Sequence, residues 1–175
     1  MFLPTEQLQI RPARAGDARA LIALQTQIYR EERWFVGDGP VSAEVLARRL
    51  RAVDPELSLY IVACPARDQA KLCAWLELHR LVPQRLRHVA MLTLAVSAAH
   101  RRQGIAACLL RYSYRWGRRV GVEKIQLNVR AENSAAIRLY ESQGFSVEGR
   151  ELRQIREGNH YEDNVLMAKF LDEEA

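Results

Sequence analysis

The stretch Arg101-Arg102-Gln103-Gly104-Ile105-Ala106-Ala107 sets two guanidinium groups and a glycine directly before a run of helical period. A helix N-terminus carries backbone N–H groups that no carbonyl inside the helix can satisfy, and the peptide dipoles add partial positive charge there. Gly104 has no Cβ to hold an anion off the main chain, and Ala106 is the next smallest residue where the chain must stay close. Charge-assisted hydrogen bonds contribute roughly 1.5–3 kcal/mol each, so four or five amides with one arginine suffice for a diphosphate without a metal. A plain turn with two solvated arginines is the competing local reading, and the surrounding elements decide between them.

Those elements follow from periodicity. Leu8–Arg11 reads as a strand, and a helix over about 17–30 follows with Ala20, Leu21, Leu24 and Ile28 on one face. Ser42 caps a second helix over about 43–53, with Leu46 and Leu50 inward. Three β-rich runs come next, at 57–64, 71–78 and 88–96. The period then lengthens: Ile105, Leu109, Tyr112, Trp116 and Val120 share one helix face. A strand at 124–129, a helix opened by Asn133 and ended by Gly144, and a hairpin turning at about 157–159 complete the chain. The order β, α, α, β, β, β, α, β, α, β, β predicts a mixed α/β sheet with helices on its faces, the kind of layered domain that binds ligands where strands splay and helices begin.

The totals set outer limits. The 175 residues fit one domain, 1–175. A hydrophobic share of 49% and a charged share of 27% are ordinary for a globular chain. The net charge of +5 is carried almost wholly by arginine, since Lys71, Lys124 and Lys169 are the only lysines among 26 basic residues. Such a balance favours phosphate or carboxylate partners or reflects genomic composition. Cys64, Cys73 and Cys108 lack metal-ligand spacing and read as reduced thiols of a cytoplasmic protein, so no metal site is expected. No leader-like segment and no run of 18 apolar residues is found, which argues against secretion and membrane spanning. The basic, aromatic-rich run from Arg101 to Gly121 suggests nucleic acid, but Tyr112 and Trp116 fall on the apolar face and are expected to be buried, which makes nucleic acid an improbable partner.

Taken together, Arg101-Arg102-Gln103-Gly104-Ile105-Ala106 after a strand ending Leu94-Ala95-Val96, and the downstream run from Leu127 to Arg150, resemble the Gcn5-related N-acetyltransferase superfamily. The opening at Ile10–Leu21 and the closing hairpin at Gly158–Ala168 are similar to it as well, most like its bacterial amino-acid and ribosomal-protein N-terminal acetyltransferases. The resemblance implies a mixed, mostly antiparallel sheet with helices on both faces and a V-shaped splay between the fourth and fifth strands. It further implies acetyl-CoA as co-substrate and a primary amine as partner, with direct attack in a ternary complex. The acceptor would be a small molecule such as an amino acid, or a peptide N-terminus. By the same analogy Leu94 and Val96 offer main-chain bonds to pantetheine, the amides of Arg101, Arg102, Gln103, Gly104, Ile105, Ala106 and Ala107 cradle the pyrophosphate, and Asn133 and Tyr140 flank the thioester. A homodimer stays open.

Acyl transfer also needs a proton acceptor and a donor to the departing thiolate. A phenol near 10 facing a thiol near 8.5 makes full proton transfer from Tyr140 uphill by about 2 kcal/mol, so the tyrosine is expected to hydrogen-bond the sulfur. Family members often carry a glutamate in the strand at 88–96, where this chain has none. Glu77 on the neighbouring strand is the nearest candidate base, acting directly or through water, with a solvent-facing strand residue as the plain alternative; Glu31, Glu32 and His79 follow it. Without a strong base, α-amines, about 10% neutral at pH 7, suit the site better than lysine-like amines. Acceptor selection would fall to the irregular segment holding Trp34 and Phe35, as an apolar wall or simply a cover for the core edge, and to the loop holding Arg80, Arg85 and Arg87, which could greet a carboxylate or, as is usual, be solvated loop charges. A non-catalytic acyl-CoA-binding regulatory domain is the alternative that the missing strand carboxylate suggests.

Overall fold

The structure, a computed structural model, describes residues 8–31, 34–37 and 39–171, with Glu31 described in its backbone alone. Seven strands and four helices appear in the expected order: β1 (Leu8–Pro12), α1 (Ala18–Glu31), α2 (Ala43–Arg51), β2 (Ser58–Pro65), β3 (Ala74–Arg80), β4 (Val89–Val96), α3 (Ile105–Arg119), β5 (Lys124–Arg130), α4 (Ser134–Ser142), β6 (Ser146–Glu157) and β7 (His160–Phe170). Ser42 caps α2 by accepting from the Val45 N–H, as its side chain and position require. The third strand begins three residues later than the sequence reading placed it. Lys71 donates its N–H to Asp68 and Leu72 donates to Ala70, so these residues finish a turn before the ladder starts.

The strands form one sheet in the order β1-β2-β3-β4-β5-β7-β6. Every neighbouring pair is antiparallel except β4 and β5, which run parallel across the middle. That central ladder holds only three pairs, Val89 with Lys124, Ala90 with Ile125 and Met91 with Gln126. Beyond Met91 the two strands part, leaving the β5-facing edge of β4 from Leu92 to Val96 without a strand partner. The splay expected between the fourth and fifth strands is therefore present.

Successive side chains of a strand point to opposite faces, so the sheet carries a core on each side. On one face α1 and α2 cover Val62, Cys64, Trp75 and Ala95 with Leu21, Leu24, Ile28, Leu46 and Leu50. On the other, α3 and α4 cover Ile61, Leu76, Leu92, Ile125 and Met167 with Ile105, Leu109, Tyr114, Trp116 and Tyr140. The buried stripe of α3 is wider than the one expected, taking in Leu110, Ser113 and Gly117, while Tyr112 is only half-buried at its edge. Trp116 is buried as expected and donates its indole N–H to the Pro55 carbonyl at 2.9 Å. Among the described residues no helix is long and apolar enough to cross a membrane.

Candidate active site

The parting of β4 from β5 opens a cavity of about 880 Å³ that runs through the sheet. Alternation divides its wall. Leu92, Leu94 and Val96 belong to the α3 and α4 side, whereas Met91, Thr93 and Ala95 point with Asn128 and Arg130 to the α1 and α2 side. The cavity thus joins a cradle at the start of α3 to a second chamber beneath α1.

The cradle is built by backbone conformation. Arg102 has φ of +61° and Gly104, the residue before the first turn of α3, has φ of +77°; both are left-handed, a region open to glycine and strained for arginine. No side chain caps this helix. Its first amides, at Ile105, Ala106 and Ala107, lie in the cavity wall beside Arg101, Arg102 and Gly104. Three outward N–H groups, a helix dipole and two guanidiniums at one end of a cavity suit a dianionic diphosphate, which is the fit that coenzyme A requires. Arg101 is steadied by donating from Nε to the Val96 carbonyl at 3.0 Å. Gln103 falls outside the cavity wall and donates its side-chain N–H to the Ala99 carbonyl.

Asn133 caps α4 by accepting the Ala136 N–H at its Oδ1, and it lines the cavity together with Tyr140 two turns on. The Tyr140 ring packs against Phe145 at 5.5 Å between centroids, so the same residue serves the core and the site. Burial pushes its phenol up to about 12. Against a thiol near 8.5 the proton transfer is then uphill by roughly 5 kcal/mol, which leaves hydrogen-bond donation as the role open to it.

The other expected residues are distributed unevenly. Trp34 and Phe35 both line the second chamber, and Phe35 is held in a stack between Tyr29 at 5.0 Å and Trp75 at 5.9 Å. Glu77 lies one strand away from the cavity, opposite Thr93, which does line it. Its carboxylate is 3.5 Å from His79 Nε2, and His79 Nδ1 is 3.0 Å from Ser58 Oγ. Burial, and after it the charge of Glu77, raises the phenols of Tyr29 and Tyr60 above the usual range. Nothing is described of the Glu31 side chain, and Glu32 lies outside the described residues. The loop before β4 does not reach the chamber: it joins β4 at the end remote from the cradle, and Arg80 there donates to the carbonyls of Arg87 and Glu56. Of the two readings of Arg80, Arg85 and Arg87, this position favours loop charges over contact with the acceptor.

The polar chamber residues Asn128, Arg130, Glu132, Gln154 and Asn164 were missed in the sequence. The signal available was the alternation of Lys124, Gln126, Asn128 and Arg130 along β5, which marks one face of that strand as polar. Arg130 donates from Nε to Glu162 at 2.7 Å and from Nη1 to Glu157 at 2.6 Å, and Glu162 also accepts the Glu132 N–H.

Comparison with known proteins bears on the family and the fold. The family model described as the acetyltransferase (GNAT) family matches residues 21–145. A crystal structure of a GNAT-family acetyltransferase from Streptococcus pneumoniae superposes with a TM-score of 0.84 at 25% identity, over 93% of this chain and 98% of that one. A ribosomal-protein-alanine N-acetyltransferase from Brucella melitensis gives 0.80 at 23%, over 93% and 99%. A GNAT-superfamily phosphinothricin acetyltransferase from Sinorhizobium meliloti, solved in complex with acetyl-CoA, gives 0.79 at 20%, over 93% and 88%. No curated protein matches in sequence.

Proposed function

The chain belongs to the acetyltransferase (GNAT) family, and on that premise we propose that it is an N-acetyltransferase that moves the acetyl group of acetyl-CoA to a primary amine by direct attack in a ternary complex. The acceptor is a small molecule such as an amino acid, or a peptide N-terminus. The observation that carries the proposal is the single cavity linking an uncapped helix N-terminus to a separate chamber across the sheet. Such a passage lets two reactants meet from opposite faces, and holding them in line supplies much of the rate. A cytoplasmic location belongs to the same reading.

Acetyl-CoA supplies an activated thioester; the chain positions it and manages protons. In this reading the amides of Arg101 to Ala107 and the two arginines hold the diphosphate, and the free edge of β4 at Leu94 and Val96 bonds pantetheine as an added strand would. Asn133 sets the start of α4, which aims Tyr140 at the sulfur. Its phenol, at about 12, stays protonated throughout the working range and stabilises the developing thiolate by hydrogen bonding. The amine sheds its proton towards Glu77 through water, because Glu77 stands one strand behind Thr93 and away from the cavity wall. An α-amine near 8 needs little help at neutral pH.

Thiol release from acetyl-CoA over a panel of amino acids, polyamines and N-terminal peptides tests the proposal, with at least one amine expected to accelerate release tenfold over water. The absence of a carboxylate from β4, with Glu77 set back from the wall, favours a second reading, a regulatory domain that binds acyl-CoA without catalysis. Thermal stabilisation by acetyl-CoA with no amine-dependent release establishes that second reading and ends the first.

A further inference from the structure

From the charges and surfaces of the second chamber, and resting on the transfer reading while narrowing its acceptors to exclude a free amino acid, we infer that the acceptor is a primary amine on an apolar body with no carboxylate beside it. An arylalkylamine has this chemistry, and so does an N-terminal residue whose carboxyl is already an amide. A carboxylate-bearing acceptor needs a cation free to receive it, and Arg130 is the cation that the described residues place in the chamber wall. Its side chain is 2% exposed and is held by two carboxylates, Glu162 at 3% exposure and Glu157 at 47%. Two further carboxylates stand nearby: Glu132 lies in the wall itself with its carboxylate 3.4 Å from His160 Nε2, and Glu151 accepts from the wall residue Asn164 Nδ2 at 2.9 Å. Glu132, Glu151, Glu157 and Glu162 thus outnumber Arg130 and His160 around this end of the cavity, although the chain as a whole carries +5.

The arginines of the hairpin do not offset this. Strand alternation sets Tyr161 and Asp163 on the side of β7 opposite Glu162 and Asn164, and Arg150, Arg153 and Arg156 gather there, Arg150 on Asp163 and the other two over the Tyr161 ring. An ammonium entering the chamber is attracted by this surplus of carboxylates, while a carboxylate on the same carbon is repelled by it. The rest of the wall is mainly apolar, with Ile28, Trp34, Phe35, Met91 and Ile155 beside Thr93 and Gln154. Ile155 arrives there through the register shift between Glu151 and Ile155, where Arg153 takes φ of +54° and donates its N–H to Asp163.

The test compares phenethylamine, phenylalanine and the peptide phenylalanyl-glycyl-glycinamide as acceptors at saturating acetyl-CoA. Phenethylamine and the peptide are expected to show kcat/KM at least tenfold above phenylalanine, and the better of the two identifies the source of the amine. Phenylalanine equal to or better than both overturns the inference and leaves the transfer reading intact. If no amine is acetylated, the transfer reading falls by itself; calorimetry with coenzyme A bound then decides, a tenfold preference for phenethylamine over phenylalanine upholding the inference and equal affinities overturning it. Glu157→Gln removes one partner of Arg130 from the solvent-facing side. It is expected to raise the phenylalanine value and narrow the tenfold ratio, in kcat/KM or in affinity, to threefold or less; an unchanged ratio overturns the assignment to this network.

Discussion

The two ends of the cavity are built by opposite means. The cradle comes from one uninterrupted stretch, Arg101 to Ala107, shaped by two left-handed residues and a helix start. The chamber is assembled from residues far apart in sequence, Phe35, Met91, Arg130, Gln154 and Asn164 among them, which only strand pairing brings together. One end holds Arg101 and Arg102, the other Arg130 paired with Glu157 and Glu162. A site written in seven consecutive residues depends on single atoms, whereas a site assembled by register distributes its work over several side chains. Substitutions are expected to cost more at the first than at the second.

The largest effect is expected at Gly104. Gly104→Val places a branched Cβ at φ of +77° and in front of the first α3 amides, so acetyl-CoA affinity measured by calorimetry falls at least about a hundredfold, or about 2.7 kcal/mol. Affinity retained in the folded variant breaks the claim that the cradle depends on bare backbone. Tyr140→Phe comes next. It is expected to lower kcat about tenfold, or about 1.4 kcal/mol of barrier, with acetyl-CoA affinity nearly intact. Because burial holds that phenol at about 12, the kcat profile of the unaltered protein shows no alkaline fall from this group up to pH 10. A fall near pH 10 that vanishes in Tyr140→Phe contradicts the assignment. The smallest effect is expected across the sheet, where Glu77→Gln lowers kcat/KM for an amine about threefold and sharpens the comparison by showing proton removal shared with water; a loss beyond a hundredfold makes Glu77 the indispensable base instead.

How much could be read in advance follows the same division. The start of α3 after Gly104, the caps at Ser42 and Asn133 and the order of elements depend on neighbours within a turn or two, and each was legible. The place of the loop holding Arg85 and Arg87 was not, because it depends on which end of β4 that loop joins relative to the cradle. Nor was the Arg130 network, since the pairing of Arg130 with Asn164 is set by β5 meeting β7 rather than β6. Tyr112 was misjudged for a local reason: the buried stripe of α3 is centred on Leu109, Ser113 and Trp116 and leaves the tyrosine at its margin.

The central ladder of three pairs carries a mechanical consequence. The molecule is two half-sheets, β1 to β4 and β5 to β6, sharing a short spine near Val89 and fanning apart from it. Whatever lies in the fork touches both halves and supplies the rungs that the protein omits, so filling the fork and stiffening the whole are a single event. On the proposed reading, a co-substrate seated there would act as a removable structural member.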